Sequence, residues 1–173
     1  MMTRLPIQDF RLDEMTADDF KTVAMLGETI WRQHYAQIIS NEQIDYMLSG
    51  RYTPDSLRLY LNANDRWLMI LRISGKPVGY CSYALTKEPG EMKIEQLYLL
   101  PNLHGMGWGK LMLDHIEEQA RLANLGTLKL QVNKQNTVAL NFYRKNGFNL
   151  CEEAVFDIGN GFVMDDYVMN KFL

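Results

Sequence analysis

The sequence predicts an α/β fold, an α+β mixed sheet flanked by helices. Three observations predict it. Runs that alternate apolar and polar residues are interleaved with runs whose apolar residues recur at helical spacing, the pattern of strands exchanging with amphipathic helices. A glycine-rich turn, His104-Gly105-Met106-Gly107-Trp108-Gly109-Lys110, joins the apolar run Leu97-Tyr98-Leu99-Leu100-Pro101 to a helical pattern. Finally, 173 residues with 47% apolar content suit one well-packed domain over residues 1–173, with no repeat, low-complexity tract or linker to divide it.

Ile7 to Leu12 reads as a first strand. Thr16-Ala17-Asp18-Asp19 supplies helix-start chemistry, and apolar residues at 20, 23, 24, 26, 30, 31 and 35 carry a helix to about Tyr35. Asn41 to Leu48 and Pro54 to Leu61 read as two shorter helices. Trp67 to Ile73 and Pro77 to Leu85 form a hairpin through Ser74-Gly75-Lys76. Pro89-Gly90 turns the chain into a strand from Glu91 to Leu100. A helix over 107–123, a strand over 127–132 and a helix over 136–146 follow, with Asn136 as N-cap and Gly147 as a left-handed C-cap. Two tail strands, 148–157 and 162–172, flank Gly159-Asn160-Gly161.

Composition narrows the function classes. A net charge of −3 gives non-specific nucleic-acid binding no electrostatic support. No apolar run approaches the length of a membrane span, and Met1 to Pro6 lacks the apolar core of a signal peptide. Cys81 and Cys151 both fall in predicted strands, so buried, reduced thiols in a cytoplasmic protein are expected. His34, His104 and His115 lack metal-ligand spacing, and no Gly-x-Ser-x-Gly nucleophile motif occurs. No metal, membrane or nucleic-acid partner is expected.

The glycine turn points to a phosphorylated ligand. Its glycines let the backbone approach closely with free N–H groups, and the following helix adds the positive end of its dipole. The dinucleotide fingerprint needs Gly-x-Gly-x-x-Gly, but here the third glycine, Gly109, comes one position early. A Walker loop needs Ser or Thr after Gly-Lys, and Leu111 stands there. The run His104-Gly105-Met106-Gly107-Trp108-Gly109 instead resembles the Gln/Arg-x-x-Gly-x-Gly/Ala motif of the GNAT N-acetyltransferases, with His104 in place of Gln or Arg. Downstream, Asn136, Ala139, Tyr143, Gly147 and Phe148 resemble the second GNAT signature, Asn-x-x-Ala-x-x-x-Tyr-x-x-x-Gly-Phe. The clear resemblance covers residues 66–150 and weaker similarity extends over most of the rest.

The resemblance implies the GNAT acyl-CoA N-acyltransferase fold, a central, mostly antiparallel mixed sheet. In it the strand before the glycine loop and the strand after the loop's helix splay apart to admit the pantetheine arm. It implies acetyl-CoA as cofactor and transfer of its acetyl group to a primary amine by direct attack through a ternary complex. Such chemistry needs a neutral amine although a free alkylamine has a pKa near ~10.4, preorganised donors for the oxyanion, and a proton for the departing thiolate. The matching family tyrosine lies beside the thioester sulfur, which makes Tyr143 the candidate acid. Glu95, on the strand before the loop, stands where several GNATs place a base, and it is also a candidate substrate contact. The alternation of strand side chains puts Gln96 and Tyr98 on the face opposite Glu95.

Cofactor contacts implied by the resemblance come from the backbone of Leu97, Tyr98 and Leu99 and from His104, Gly105, Met106, Gly107, Trp108, Gly109 and Lys110. Asn136 and Tyr143 would meet the pantetheine, and Lys145, or Arg144, the adenosine 3′-phosphate. His104 can donate to a phosphate as a pH-dependent partner, while Trp108 packs as a buried anchor where loop meets helix.

For the acceptor, Trp31 and Tyr35, with Tyr46, Met47, Tyr52 and Tyr60, offer an aromatic wall. Asp45, Glu95, Asp157, Asp165 and Asp166 would favour a cation. The ending Asp165-Asp166-Tyr167-Val168-Met169 resembles that of some bacterial polyamine-acetylating GNATs, so a polyamine or other small amine is the expected partner. A protein or peptide amine, or a non-catalytic acetyl-CoA-binding module, remains an alternative, and a homodimer through the last strands is expected of the family.

Overall fold

The computed structural model describes residues 9–173. In chain order it contains β1 (Phe10–Glu14), α1 (Phe20–His34), α2 (Asn41–Arg51), α3 (Pro54–Arg58), β2 (Arg66–Ile73), β3 (Lys76–Leu85) and β4 (Glu91–Leu99). It continues with α4 (Trp108–Leu122), β5 (Thr127–Asn133), α5 (Thr137–Lys145), β6 (Asn149–Gly159) and β7 (Phe162–Phe172). This is the order of elements read from the sequence. The strand expected over Ile7–Leu12 begins outside the described residues, and its described part runs on to Glu14.

The seven strands form one sheet in the order β1-β2-β3-β4-β5-β7-β6. Every neighbouring pair is antiparallel except β4 and β5. The parallel pair is short: only Glu91–Thr127, Met92–Leu128 and Lys93–Lys129 face each other. Beyond them β4 runs on to Leu99 and β5 to Asn133 without pairing. On the far side β5 stays paired to β7 through Asn133–Asp166. The splay expected between these strands is therefore present.

Each face of the sheet carries its own apolar core. One is built from α4 and α5 against the sheet, with Trp108, Met112, Leu113, Ile116, Leu130, Leu140 and Phe148 buried. The other is built from α1, α2 and α3, with Val23, Ile30, Trp31, Ile44, Leu57, Ile70 and Tyr80 buried. Both long helices place apolar residues at three- and four-residue spacing, so one stripe of each is buried: Val23, Leu26, Ile30 in α1 and Met112, Leu113, Ile116, Ala120 in α4. Glu117, also buried on α4, is neutralised by Lys171 of β7.

Local chemistry sets the ends. Ser40 and Thr53 cap α2 and α3 by accepting from Gln43 N–H at 3.1 Å and Ser56 N–H at 3.2 Å. Asn136 caps α5, accepting from Ala139 N–H at 3.2 Å. Gly147 closes α5 at φ +89°, and Phe148 N–H donates back to Tyr143 C=O at 3.0 Å. Two hairpins turn on residues with positive φ, Ser74-Gly75 and Asn160-Gly161.

Three expectations need correction. Cys81 is buried and its thiol is pushed up to about 12 by burial, but Cys151 is exposed on the edge strand β6. α3 stops at Arg58, because Leu59 to Leu61 tighten into turns with Tyr60 N–H bonded to Leu57 C=O. Glu95 departs from strict alternation. Ser82 faces Gln96 while Tyr83 faces Ile94, so Glu95 is the extra residue of a β-bulge. Ile94, Leu97 and Leu99 consequently share the α4/α5 core, while Glu95 turns with Gln96 towards the side of α3. Among the described residues no helix is long and apolar enough to cross a membrane.

Trp108 is fully buried, edge-on to Phe10, and its indole N–H has no partner among the described residues. Trp108→Ala is expected to cost about 3–5 kcal/mol in urea denaturation through the cavity it leaves. Trp108→Phe, which removes the orphan donor along with part of the volume, is expected to cost less than half of that.

Candidate functional site

The parting of β4 from β5 opens a cavity of about 970 Å³ that passes through the sheet and reaches both faces. The stretch of β4 that has parted from β5, Ile94 to Leu99, forms one wall, and Leu130 to Asn133 of β5 the other. From the α4/α5 side the glycine turn and α5 close over it. From the other side α1, α2 and the segment after α3 do so, joined by the ends of β6 and β7.

In the glycine turn, Gly105 and Gly107 adopt φ of +77° and +92°, which side chains other than glycine rarely accept. Gly107 is the N-cap of α4, and Leu111 N–H makes the first helical bond, to Gly107 C=O at 3.0 Å. The N–H groups of Trp108, Gly109 and Lys110 precede that bond and point out of the helix start. His104, Gly105, Gly107, Gly109 and Lys110 line the cavity, whereas Met106 and Trp108 do not. Trp108 is an anchor under the loop, so any contact it makes with a ligand is through its backbone. Gly109 lies within the helix, where an added Cβ would meet only ordinary contact with Phe142 at 3.5 Å.

His104 is not directed outward as a phosphate donor would be. Its Nε2 lies 3.0 Å from the Leu99 carbonyl, and its backbone N–H donates to Pro101 C=O at 3.2 Å. The imidazole ties the loop to the end of β4 instead. Asn136, whose side-chain oxygen caps α5, is buried and keeps its amide NH₂ for the cavity it lines.

Tyr143 projects from α5 into the cavity, wedged between Phe142 and Phe148 with ring centroids 5.2 and 5.4 Å away. Burial, then the nearby Tyr98 phenol, pushes its hydroxyl well above the usual tyrosine range, so it is protonated at neutral pH. Lys145 also lines the cavity, but Arg144 is not part of the lining.

Across the sheet, Glu95 accepts a hydrogen bond from the Tyr60 hydroxyl at 2.7 Å. Burial and the Glu95 charge push the Tyr60 hydroxyl up to about 12, so it stays a donor to the carboxylate. Trp31, Tyr35, Met47 and Tyr60 line this arm of the cavity; Tyr46 and Tyr52 do not. Tyr46 donates to Ile158 C=O at 2.7 Å, and Tyr52 is buried between Tyr80 and Gln96, donating to Gln96 Oε1 at 2.7 Å. Of the acidic residues expected here, only Glu95 and Asp166 line the cavity. Asp45 pairs with Arg32 at 2.7 Å, Asp165 with Lys134 at 2.9 Å, and Asp157 accepts from Gly159 N–H at 2.8 Å.

Asp166 is 6% exposed, and its Oδ1 has no hydrogen-bond partner among the described residues. Burial, reinforced by Asp165 and opposed by Lys93, pushes its carboxyl up to about 6. Arg51, at the end of α2, also reaches this arm and was not singled out in the sequence. A lone arginine in the last turn of a helix reads as a solvated cation, and only the fold turns it inward. Among the described residues, no group of three or more His, Cys, Asp or Glu side chains is placed to hold a metal ion.

Comparison with known proteins agrees with this geometry. A family model described as Acetyltransferase (GNAT) family matches residues 28–148. The chain is 30% identical over 111 residues to an IAA acetyltransferase of Azospirillum brasilense, covering 62% of this chain and 72% of that protein. It is 24% identical over 156 residues to a spermidine N(1)-acetyltransferase of Thermoplasma acidophilum, covering 88% and 93%. A crystal structure of PaiA N-acetyltransferase from Thermoplasma acidophilum, in complex with coenzyme A, superposes with a TM-score of 0.80 at 22% identity over 95% of this chain and 99% of that one. Since the family match runs from within α1 to the end of the α5 cap and takes in more than half of the sequence, the chain belongs to the GNAT family of acetyltransferases.

Proposed function

We propose that the chain transfers the acetyl group of acetyl-CoA to the primary amine of a small molecule, by direct attack with both substrates bound. That it is an acetyl-CoA-dependent N-acetyltransferase follows from its family; the acceptor class and the route are the proposal. The observation that carries the reading is the through-sheet cavity, with a phosphate cradle on one side and an aromatic, charged arm on the other.

The residues present fit acetyl-CoA, which supplies an acetyl thioester when bound. Gly105 and Gly107 allow close approach, and the N–H groups at the start of α4 suit a pyrophosphate. The Leu97 to Leu99 backbone and the Asn136 amide lie along the cavity where a pantetheine arm would run, and Lys145 lies on the same side. Tyr143 holds a proton ready for the leaving sulfur. Glu95, held by Tyr60, is the base that takes the proton of the acceptor ammonium, directly or through water. One N–C bond forms as one C–S bond breaks; the ammonium's first proton passes by way of Glu95 to solvent, the sulfur takes a proton from Tyr143, and the second proton, shed by the attacking nitrogen as the amide forms, restores Tyr143 through solvent.

A small acceptor is supported by the enclosure of the arm between α1, α2 and β7. A polyamine has the support of the spermidine-acetylating relative and of Asp166 in the arm. A homodimer through the tail is supported by exposed Val155, Val163 and Phe172 on the last two strands.

Thiol release from acetyl-CoA tests the route. Tyr143→Phe is expected to lower kcat about 10²–10⁴-fold with CoA affinity unchanged; an unaltered kcat would remove Tyr143 as the acid. Glu95→Gln is expected to lower kcat most at neutral pH, the deficit shrinking as pH rises towards the amine's own pKa of ~10.4. A deficit constant across pH would point to a positioning role.

A further inference from the structure

Of the charged side chains that line the cavity on the acceptor side, Arg66 pairs with Asp65, Lys93 donates to Gln131 at 3.3 Å and Glu95 accepts from Tyr60, while Arg51 and Asp166, of opposite sign, have no hydrogen bond or ion pair among the described residues. Most of the polar groups around this arm are satisfied by protein partners. Tyr35 and Tyr98 share a hydrogen bond at 3.2 Å. Tyr52 bonds to Gln96, which donates to Ser82 at 2.9 Å. Glu95 is held by Tyr60. Buried polar groups are normally paired in this way, because leaving one unpaired carries its full desolvation penalty.

Asp166 breaks the pattern. It alternates along β7 with Met164, both side chains reaching the cavity, while its neighbour Asp165 points away to Lys134. Its buried Oδ1 meets no donor. Arg51 breaks it in the opposite sense. Its guanidinium lies 5.1 Å from the centroid of the Trp31 ring and makes no ion pair or hydrogen bond among the described residues. The stacking fixes the planar group while leaving its N–H donors unused. The Trp31 indole N–H on the same ring is also buried and has no partner among the described residues. Arg51, Asp166 and Tyr98 all line the same cavity.

From this pairing we infer that the acceptor is a zwitterion, an amino acid whose carboxylate is taken by Arg51 and whose ammonium is drawn in by Asp166 before Glu95 takes its proton. The inference rests on the acetyl-transfer reading above and names its substrate class. A polyamine would satisfy Asp166 but bring a second cation into the arm that holds Arg51. A zwitterion satisfies both charges at once. Arg51 presents the fork that matches a carboxylate with two parallel N–H donors. Arg51 is also on the opposite side of the sheet from the glycine cradle, so the phosphates of acetyl-CoA do not account for it.

The test measures calorimetric binding to the chain saturated with CoA, with acetyl transfer followed in parallel. The probes are the common L-amino acids, a series of ω-amino acids, the carboxamide of each, putrescine and spermidine. At least one amino acid is expected to bind about tenfold or more tightly than its amide and than either polyamine. Arg51→Gln, which keeps the stem over Trp31, is expected to bring that acid down to the level of its amide while leaving the amide within about twofold. Arg51→Lys restores part of the preference. Asp166→Asn weakens acid and amide alike by about tenfold, and CoA binding is unchanged in all three variants. Equal affinity for acid and amide, preference for a polyamine, binding by no amino acid, or an equal loss of acid and amide in Arg51→Gln would each overturn the inference. The expected binding pattern without acetylation would instead overturn the proposed activity and leave the charge assignment standing.

Discussion

The early parting of β4 from β5 is the constraint on which the rest of the structure depends. A parallel pair that stays in register presents a closed sheet, and helices on its two faces cannot share a site. Here the pair separates after Lys93–Lys129, yet each strand keeps its other neighbour, β3 for β4 and β7 for β5. The sheet is thus torn along one seam without losing its edges elsewhere. Backbone groups of Ile94 to Leu99 and Leu130 to Asn133 that would have bonded across the seam become the walls of the cavity. Such groups need partners when shielded from water, and an extended amide-bearing ligand laid between them supplies partners of the right kind. The bulge at Glu95 belongs to the same device. It keeps Ile94, Leu97 and Leu99 on the α4/α5 core while bringing a carboxylate to the opposite side, at the level where the seam is open.

The two halves of the site are built on different physics. The half under α4 and α5 relies on backbone. Two glycines of positive φ and the start of a helix offer N–H groups, and the side chain best placed to compete, His104, is bound to the Leu99 carbonyl. Such a surface recognises phosphate through geometry and dipole, and tolerates changes of side chain. The half under α1 to α3 relies on side chains. Tyrosines, Arg51 and Asp166 define it, and most of the tyrosine hydroxyls are already spoken for within the wall. What remains for a ligand is charge. The relatives and solved structures similar to this chain carry names with several different acceptors, spermidine and peptidyl-lysine among them. A donor half built on backbone and an acceptor half built on side chains would produce that spread.

Much of the fold is legible locally because its signals are local. The caps at Ser40, Thr53 and Asn136, the left-handed Gly147 and the Ser74-Gly75 and Asn160-Gly161 turns are each a matter of a few consecutive residues. The cradle and Tyr143 are legible for the same reason, since turn, cap and helix phase place them together. The bulge at Glu95 is not, because a one-residue slip depends on which residues of β3 lie opposite. Nor is the exposure of Cys151, which follows from β6 being an edge strand rather than from its alternating sequence. Among the acidic residues of the acceptor region, composition could not separate Asp166 from Asp45, Asp157 and Asp165. Three of the four find a cation or a turn N–H at the surface, and the partners lie elsewhere in the chain for Arg32–Asp45 and Lys134–Asp165.

By itself the sequence determined the order of elements, the glycine cradle, the tyrosine of α5 and, through two motifs at family spacing, the chemistry of the donor. These depend on backbone dihedrals and helical phase, which neighbouring residues dictate. Only the tertiary structure decided that β4 and β5 part after three residues, that His104 is a strut, and that Arg51 and Asp166 line one cavity. Those outcomes depend on which distant groups remain unpaired once every other buried partner has been taken, and that is a property of the packed chain as a whole.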